Sequence, residues 1–198
     1  MLDLFEVTGE PRWLQESVRL AATMIADFED RENGGFFLTV TAEPARLKEG
    51  YDGPIPSGNS VAALDLIRLA ELTGDTGYRK AADRTVRFFS TDIERNPAGH
   101  ATMLTALDLL LNGVREVVVS TRTNGEAEAL MTEVNRPFLP DKVVMKATSK
   151  TYPELSKLSS LLEGRSPTAR PRAYVCRNAA CLLPAESPKA LREQLGTR

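Results

Sequence analysis

Ser57-Gly58-Asn59-Ser60-Val61-Ala62-Ala63-Leu64-Asp65-Leu66-Ile67-Arg68-Leu69-Ala70-Glu71-Leu72-Thr73-Gly74 is the stretch that decides the fold. Ser57 is a good helix N-cap, and Gly74 is the residue type that ends a helix in the left-handed conformation. From Val61 onward the polar stripe is only Asp65, Arg68 and Glu71. Nearly every other position is Val, Ala, Leu or Ile, so the spacing predicts a helix surrounded by other helices.

The same reading extends outward. Residues 11–29 place Leu14, Val18, Ala21, Ile25 and Phe28 at steps of four and three, which makes one apolar face. Pro11 suits a first helical turn, and Asn33-Gly34-Gly35 stops the helix. A third helix is predicted over 76–94, with Tyr78, Ala82, Val86, Phe89 and Ile93 on its face, and a fourth over 97–111. Glu6-Val7-Thr8-Gly9-Glu10 before Trp13 matches Glu71-Leu72-Thr73-Gly74-Asp75 before Tyr78 at an offset of 65 residues. The repeated unit is a helix, a tight Thr-Gly turn and a second helix. Such hairpins bury their apolar faces by stacking. The first copy lacks a leading helix in this reading, so the array is expected to be partial, with apolar surface at its edge.

After Gly113 the pattern changes. Val117-Val118-Val119 marks a short buried strand within 115–120, and further strands are predicted at 142–147 and 172–176. Helical patterns follow each of them, at 124–135, 152–163 and 188–195, with Asn124 as the cap of the first. Strand–helix alternation predicts a small three-stranded parallel sheet. The fold class expected is mixed α and β, mainly α. Residues 1–113 would form the helical-hairpin region and 114–198 a small α/β region packed on it. Charge divides at the same place, with a net −7 over residues 1–113 and +5 over 114–198.

The whole chain of 198 residues is 42% hydrophobic and 26% charged, with a net charge of −2. That composition belongs to a globular protein and excludes disordered, collagen-like and disulfide-dense classes. The near-neutral charge gives a nucleic-acid partner no support. No apolar run approaches the roughly 18 residues of a membrane span, so no membrane partner is expected. The first ten residues carry acids and no Lys or Arg, unlike a signal peptide, which makes cytoplasmic the default location.

Residues able to do chemistry are few. The single histidine, His100, excludes mechanisms that need two imidazoles from one chain, and a packing role is expected for it. Cys176-Arg177-Asn178-Ala179-Ala180-Cys181 does not match the Cys-x-x-Cys redox spacing. Free structural thiols, a disulfide or redox pair, and a metal site completed from outside all stay open. Neither a resident metal nor a cofactor is expected. Ser120 to Asn124 is an ordinary strand–helix turn that could hold an anion at a helix N-terminus. The densest polar stretch is 46–60. Glu49 and Asp52 are the pair that acid/base or glycosidic chemistry would use. Arg46, Lys48, Tyr51, Ser57 and Asn59 would bind substrate around them. The alternative is a rigid loop whose polar groups satisfy helix ends.

One stretch, Asp52-Gly53-Pro54-Ile55-Pro56-Ser57-Gly58-Asn59-Ser60-Val61-Ala62-Ala63, carries a resemblance. Gly34-Gly35-Phe36-Phe37, Arg46-x-Lys48, Leu72-Thr73-Gly74 and Tyr174-Val175-Cys176-x-Asn178-x-x-Cys181 support it. Together they resemble the C-terminal part of a thioredoxin-domain-containing family related to spermatogenesis-associated thioredoxin-like proteins. The similarity runs over essentially the whole chain. It implies a partial (α/α) toroid similar to those of N-acylglucosamine 2-epimerases and six-hairpin glycosidases, in a family of unsettled activity. This chain has no Cys-x-x-Cys and no thioredoxin-like domain, and epimerase-type catalysis uses paired histidines.

The favoured expectation is therefore a non-catalytic interaction or structural module. It would be a homodimer, or it would have a partner covering the missing repeats. The alternative is a sugar-binding or sugar-modifying toroid with a carbohydrate ligand on the 46–60 loop. A third reading is a thiol-dependent role through Cys176 and Cys181.

Overall fold

The computed structural model describes residues 1–41 and 45–196. Contacts divide the chain into two compact units. One comprises Glu16–Ala70 and Asp75–Asn112 and is helical. The other comprises Met1–Gln15, Glu71–Gly74 and Gly113–Arg198 and contains the sheet.

The helical unit holds most of α2 (Pro11–Phe28) and α3 (Gly58–Thr73), with α4 (Thr76–Phe88), α5 (Ser90–Arg95) and α6 (Ala101–Asn112). Helix α3 starts where Ser57 caps it: the Ser57 Oγ accepts the Ser60 N–H at 3.0 Å. Its Ala62, Ala63, Leu66, Ile67 and Leu69 are buried, as the narrow polar stripe predicts. Helix α4 is capped by Asp75, whose Oδ1 accepts the Gly77 N–H at 2.8 Å. Ala82 and Val86 of α4 and Met103 and Ala106 of α6 complete the core.

The helix predicted over 76–94 is two helices. Phe89 leaves helical geometry at φ −91°, ψ 6°, and turns its ring inward to lie directly against Gly50. Position 50 has no room for a side chain there. The helix predicted over 97–111 opens instead as a 3-10 turn, Pro97–His100, before α6 begins.

In the sheet unit, the residues ahead of Gly9 form a short helix, α1 (Leu2–Thr8), where the sequence reading expected none. Both repeat copies are thus helix–glycine–helix turns. Gly9 and Gly74 take φ of 69° and 83°, a conformation that costs other residues energy. A Cβ on Gly9 would lie 2.7 Å from the Lys146 carbonyl oxygen, and one on Gly74 would fall on the Ser160 hydroxyl.

Among the described residues the sheet has four strands in the order β2-β1-β3-β4: β1 (Arg115–Thr121), β2 (Lys142–Thr148), β3 (Arg172–Arg177) and β4 (Ala180–Cys181). Helix α7 (Asn124–Asn135) joins β1 to its parallel neighbour β2. Thr123, not Asn124, caps α7 by accepting the Glu126 N–H. Strand β3 runs antiparallel to β1, so the expected three-stranded parallel sheet is corrected to a mixed one. The reason lies in α8 (Tyr152–Leu158). A helix of seven residues rises about 10 Å, while a strand of seven spans about 23 Å. Helix α8 does not carry the chain back along β2, and β3 enters from the end where β2 stops.

A two-residue turn then adds β4. Asn178 and Ala179 both have positive φ, 51° and 63°, the requirement of a type I′ hairpin. Helices α7 and α9 (Pro188–Gly196) cover one face of the sheet with Leu130, Val134, Leu191 and Leu195 over Val117, Val119, Val144 and Val175.

Candidate functional site

The 46–60 loop lies within the helical unit, and its side chains are spent largely on holding backbone. Lys48 Nζ donates to Asp30 Oδ2 at 2.7 Å and to the Gly34 carbonyl at 2.6 Å. Its ammonium sits 3.8 Å from the Phe88 ring centroid, and its side chain is only 7% exposed. The Lys48 hydrogen bond, with those from Asn33, holds the Asp30 carboxyl well below the usual carboxylate range. Arg46 lies over the Phe37 ring and donates to the carbonyls of Thr39 and Asp27 at 3.0 and 2.9 Å.

Asn59 is buried on the first turn of α3. Its Oδ1 accepts the Phe36 N–H at 2.6 Å, and its Nδ2 donates to the carbonyls of Phe36 and Glu49, both at 2.9 Å. One amide side chain therefore pairs both backbone groups of Phe36 as a neighbouring strand would. Gly34 and Gly35, at φ 85° and 77°, bring that backbone within reach.

Asp52 spans two elements. Its Oδ1 accepts the Ser57 N–H at 2.9 Å, and its Oδ2 accepts those of Thr102 and Met103 at 2.7 and 3.4 Å. Burial pushes this carboxyl up, but these backbone N–H groups and the Ser60 hydroxyl outweigh it and hold it below the ordinary range. An ionised carboxylate fixed on the first turn of α6 suits a helix N-terminus and has no proton to deliver at neutral pH.

Glu49 and Tyr51 differ from their neighbours in facing outward. The Glu49 carboxylate accepts the Tyr51 N–H at 2.9 Å, and the Tyr51 ring is exposed. They line a shallow recess of ≈ 260 Å³ together with Asp92, Arg95, Asn96 and His100. His100 is buried, with Nδ1 at 2.9 Å from the Asn96 carbonyl oxygen and Tyr51 edge-on to its ring. Asp92, Arg95 and Asn96 escaped the sequence reading, because they lie about 40 residues away on α5 and its C-cap. Among the described residues no three His, Cys, Asp or Glu side chains converge as metal ligands would.

A larger groove, ≈ 790 Å³, runs over α4, α5 and α6. Val86, Ile93, Leu107, Leu110 and Leu111 give it an apolar floor. Arg79, Lys80, Arg84 and Arg87 line it with Asp83 and Glu94; Arg84 is paired with Glu29, and Arg87 with Asp83 at 2.7 Å. Arg79 is anchored by donating to the Leu110 carbonyl at 3.0 Å, which satisfies the last turn of α6.

In the sheet unit, Cys176 and Cys181 stand opposite each other on β3 and β4 and are joined as a disulfide. Of the alternatives the spacing left open, the structure takes this one. The two strands make the pairing possible: cysteines flanking a two-residue turn at equal distance face each other on one side of the hairpin.

The chain matches no protein-family model. It is 33% identical over 208 residues to spermatogenesis-associated protein 20 of Homo sapiens and 31% identical over 201 residues to that of Rattus norvegicus. It is 24% identical over 197 residues to an uncharacterized protein of Caenorhabditis elegans. Each alignment takes in 98% of this chain but only 26% of the relative. What the chain is similar to, then, is about a quarter of spermatogenesis-associated protein 20, and it spans about a quarter of the length of the curated relatives it matches.

Proposed function

We propose that this chain is a non-catalytic interaction module, and that in a protein of its relatives' length it is one part of a larger helical array. The groove on α4, α5 and α6 carries this reading. Its floor is apolar and its rim is basic, a combination that recognises an amphipathic helix with acidic flanks. Leu111 at the groove edge is 74% exposed, a large apolar side chain that a bound helix would cover. The loop supports the same reading from the other side. Arg46, Lys48, Asp52, Ser57 and Asn59 are committed to backbone groups, which leaves little to act on a substrate.

The test is binding of a fluorescent 18-residue peptide with Leu at helical spacing and Glu between, read by anisotropy. The expected result is a Kd in the micromolar range that weakens at least tenfold in the Lys80→Glu/Arg87→Glu double variant. No binding at millimolar peptide contradicts it.

A second reading rests on the recess. An exposed Tyr51 beside Glu49, Asp92 and Arg95 is the arrangement of a small carbohydrate subsite, with the ring stacking on a sugar face and the carboxylates holding hydroxyls. A screen of neutral and anionic sugars by thermal shift checks it. A rise in Tm that Tyr51→Ala abolishes supports this reading, and no rise with any sugar removes it.

A further inference from the structure

The disulfide has a setting of its own. By strand register Glu116 of β1 stands opposite Cys176, and Cys176 opposite Cys181, so a carboxyl and both sulfurs fall in one row across the sheet. Residues directly opposite on neighbouring strands share a face and touch. Onto this row reaches Arg165, from the segment that follows α8. Its Nη2 donates to the Sγ of Cys176 and to the Sγ of Cys181, 3.2 Å from each. Its Nη1 donates to the Leu161 carbonyl at 2.9 Å, and the guanidinium lies 5.3 Å from the Tyr174 ring centroid. Those two contacts fix a full positive charge on the sulfurs. The same guanidinium also acts on the Glu116 carboxyl, whose pKa it draws down against burial and Glu71. The sulfurs also differ in access, since Cys176 is buried and Cys181 is exposed.

We propose that Cys176–Cys181 is an exchangeable redox disulfide that oxidises a dithiol, with Cys181 as the attacked sulfur and Arg165 as the group that stabilises the departing Cys176 thiolate. A thiolate of the dithiol attacks Cys181 Sγ. The new sulfur–sulfur bond forms as the Cys176–Cys181 bond breaks, and the electron pair leaves on Cys176 Sγ, beside the Arg165 guanidinium. The second thiol of the dithiol loses its proton to solvent and attacks the mixed disulfide. Its attack expels Cys181 as a thiolate. The chain has then gained two electrons, its thiolates take two protons from solvent, and the dithiol has become a disulfide. A positive charge lowers the pKa of a leaving thiol and speeds its departure. Burial and the neighbouring Glu71 push the Glu116 carboxyl up to about 7, so near neutrality it sets less than a full negative charge against the Cys176 thiolate.

The test uses dithiothreitol as the dithiol and maleimide trapping with mass spectrometry as the readout, on the folded chain. Three results are expected. The disulfide is reduced without loss of the circular dichroism of the fold. A monothiol, glutathione, is captured at Cys181 and not at Cys176. Arg165→Gln slows reduction at least tenfold, and Arg165→Lys recovers most of that loss. A disulfide reduced only when the chain unfolds overturns the proposal. So does capture at Cys176, or equal rates in the wild type and Arg165→Gln. Because the capture experiment needs only the wild type, the proposal stays testable if the Arg165 variants do not fold.

Discussion

Asn59 shows what single residues do in this chain. It replaces a missing strand, giving Phe36 both its hydrogen bonds and Glu49 one. Asn59→Ala strands three backbone groups in a buried setting, and a loss of about 2–4 kcal/mol is expected in urea unfolding. Lys48→Met leaves the Asp30 charge without its buried partner, and breaking such a pair costs about 3 kcal/mol. A loss below about 1 kcal/mol in either variant would mean that solvent reaches these groups. Glu116 makes a prediction in pH. Its folded pKa of about 7 lies above its ordinary 4.5, so between those values the folded chain holds a proton that the unfolded chain has lost. The sign is then fixed. This contribution is full below the unfolded value, falls as pH rises toward 7, and stays lost above it. Glu116→Gln removes that decline and stabilises the chain at pH 8 by about 1–3 kcal/mol. Thermal melts at pH 5 and pH 8 check both statements.

At the scale of elements, helix ends are the most informative places. Asp52 ties the start of α6 to the start of α3 through the Thr102, Met103 and Ser57 N–H groups. Asp52→Ala should cost about 1–2 kcal/mol, near the upper end of cap substitutions, and Asp52→Asn less, since an amide oxygen still accepts. Helix positions were legible in the sequence because caps, glycines and apolar periodicity all act locally. Ser57, Gly74, Pro11 and Pro188 mark ends that the structure keeps. The break at Phe89 was not legible, because it depends on Gly50, 39 residues away in the chain. The direction of β3 was not legible either, since alternation of strand and helix says nothing of how far a short helix carries the chain. The hairpin at Asn178-Ala179 lacks the glycine that usually announces a type I′ turn, so β4 and the facing of Cys176 with Cys181 had no local signal. The polar loop was legible as a dense cluster. That its side chains serve nearby backbone is a matter of distances, which composition does not carry.

At the scale of the whole molecule, the proposed function rests on how the loop and the groove differ. In the helical unit the loop side chains are held by nearby backbone groups, while the groove over α4, α5 and α6 is lined by apolar side chains and by basic ones that include Lys80. Burying apolar area gains roughly 25 cal/mol per Å², and that gain is what the proposed helix docking would draw on. The chain is similar to about a quarter of the human relative's length. No described helix is long and apolar enough to cross a membrane.

The most direct measurement is a two-dimensional NMR titration of the labelled chain with the acidic amphipathic peptide. Shifts concentrated at Lys80, Arg87, Leu107 and Leu111 are expected, with Glu49, Tyr51 and Asp52 unmoved. Shifts centred on the 46–60 loop, or shifts spread evenly over the basic side chains of the sheet unit, would contradict it.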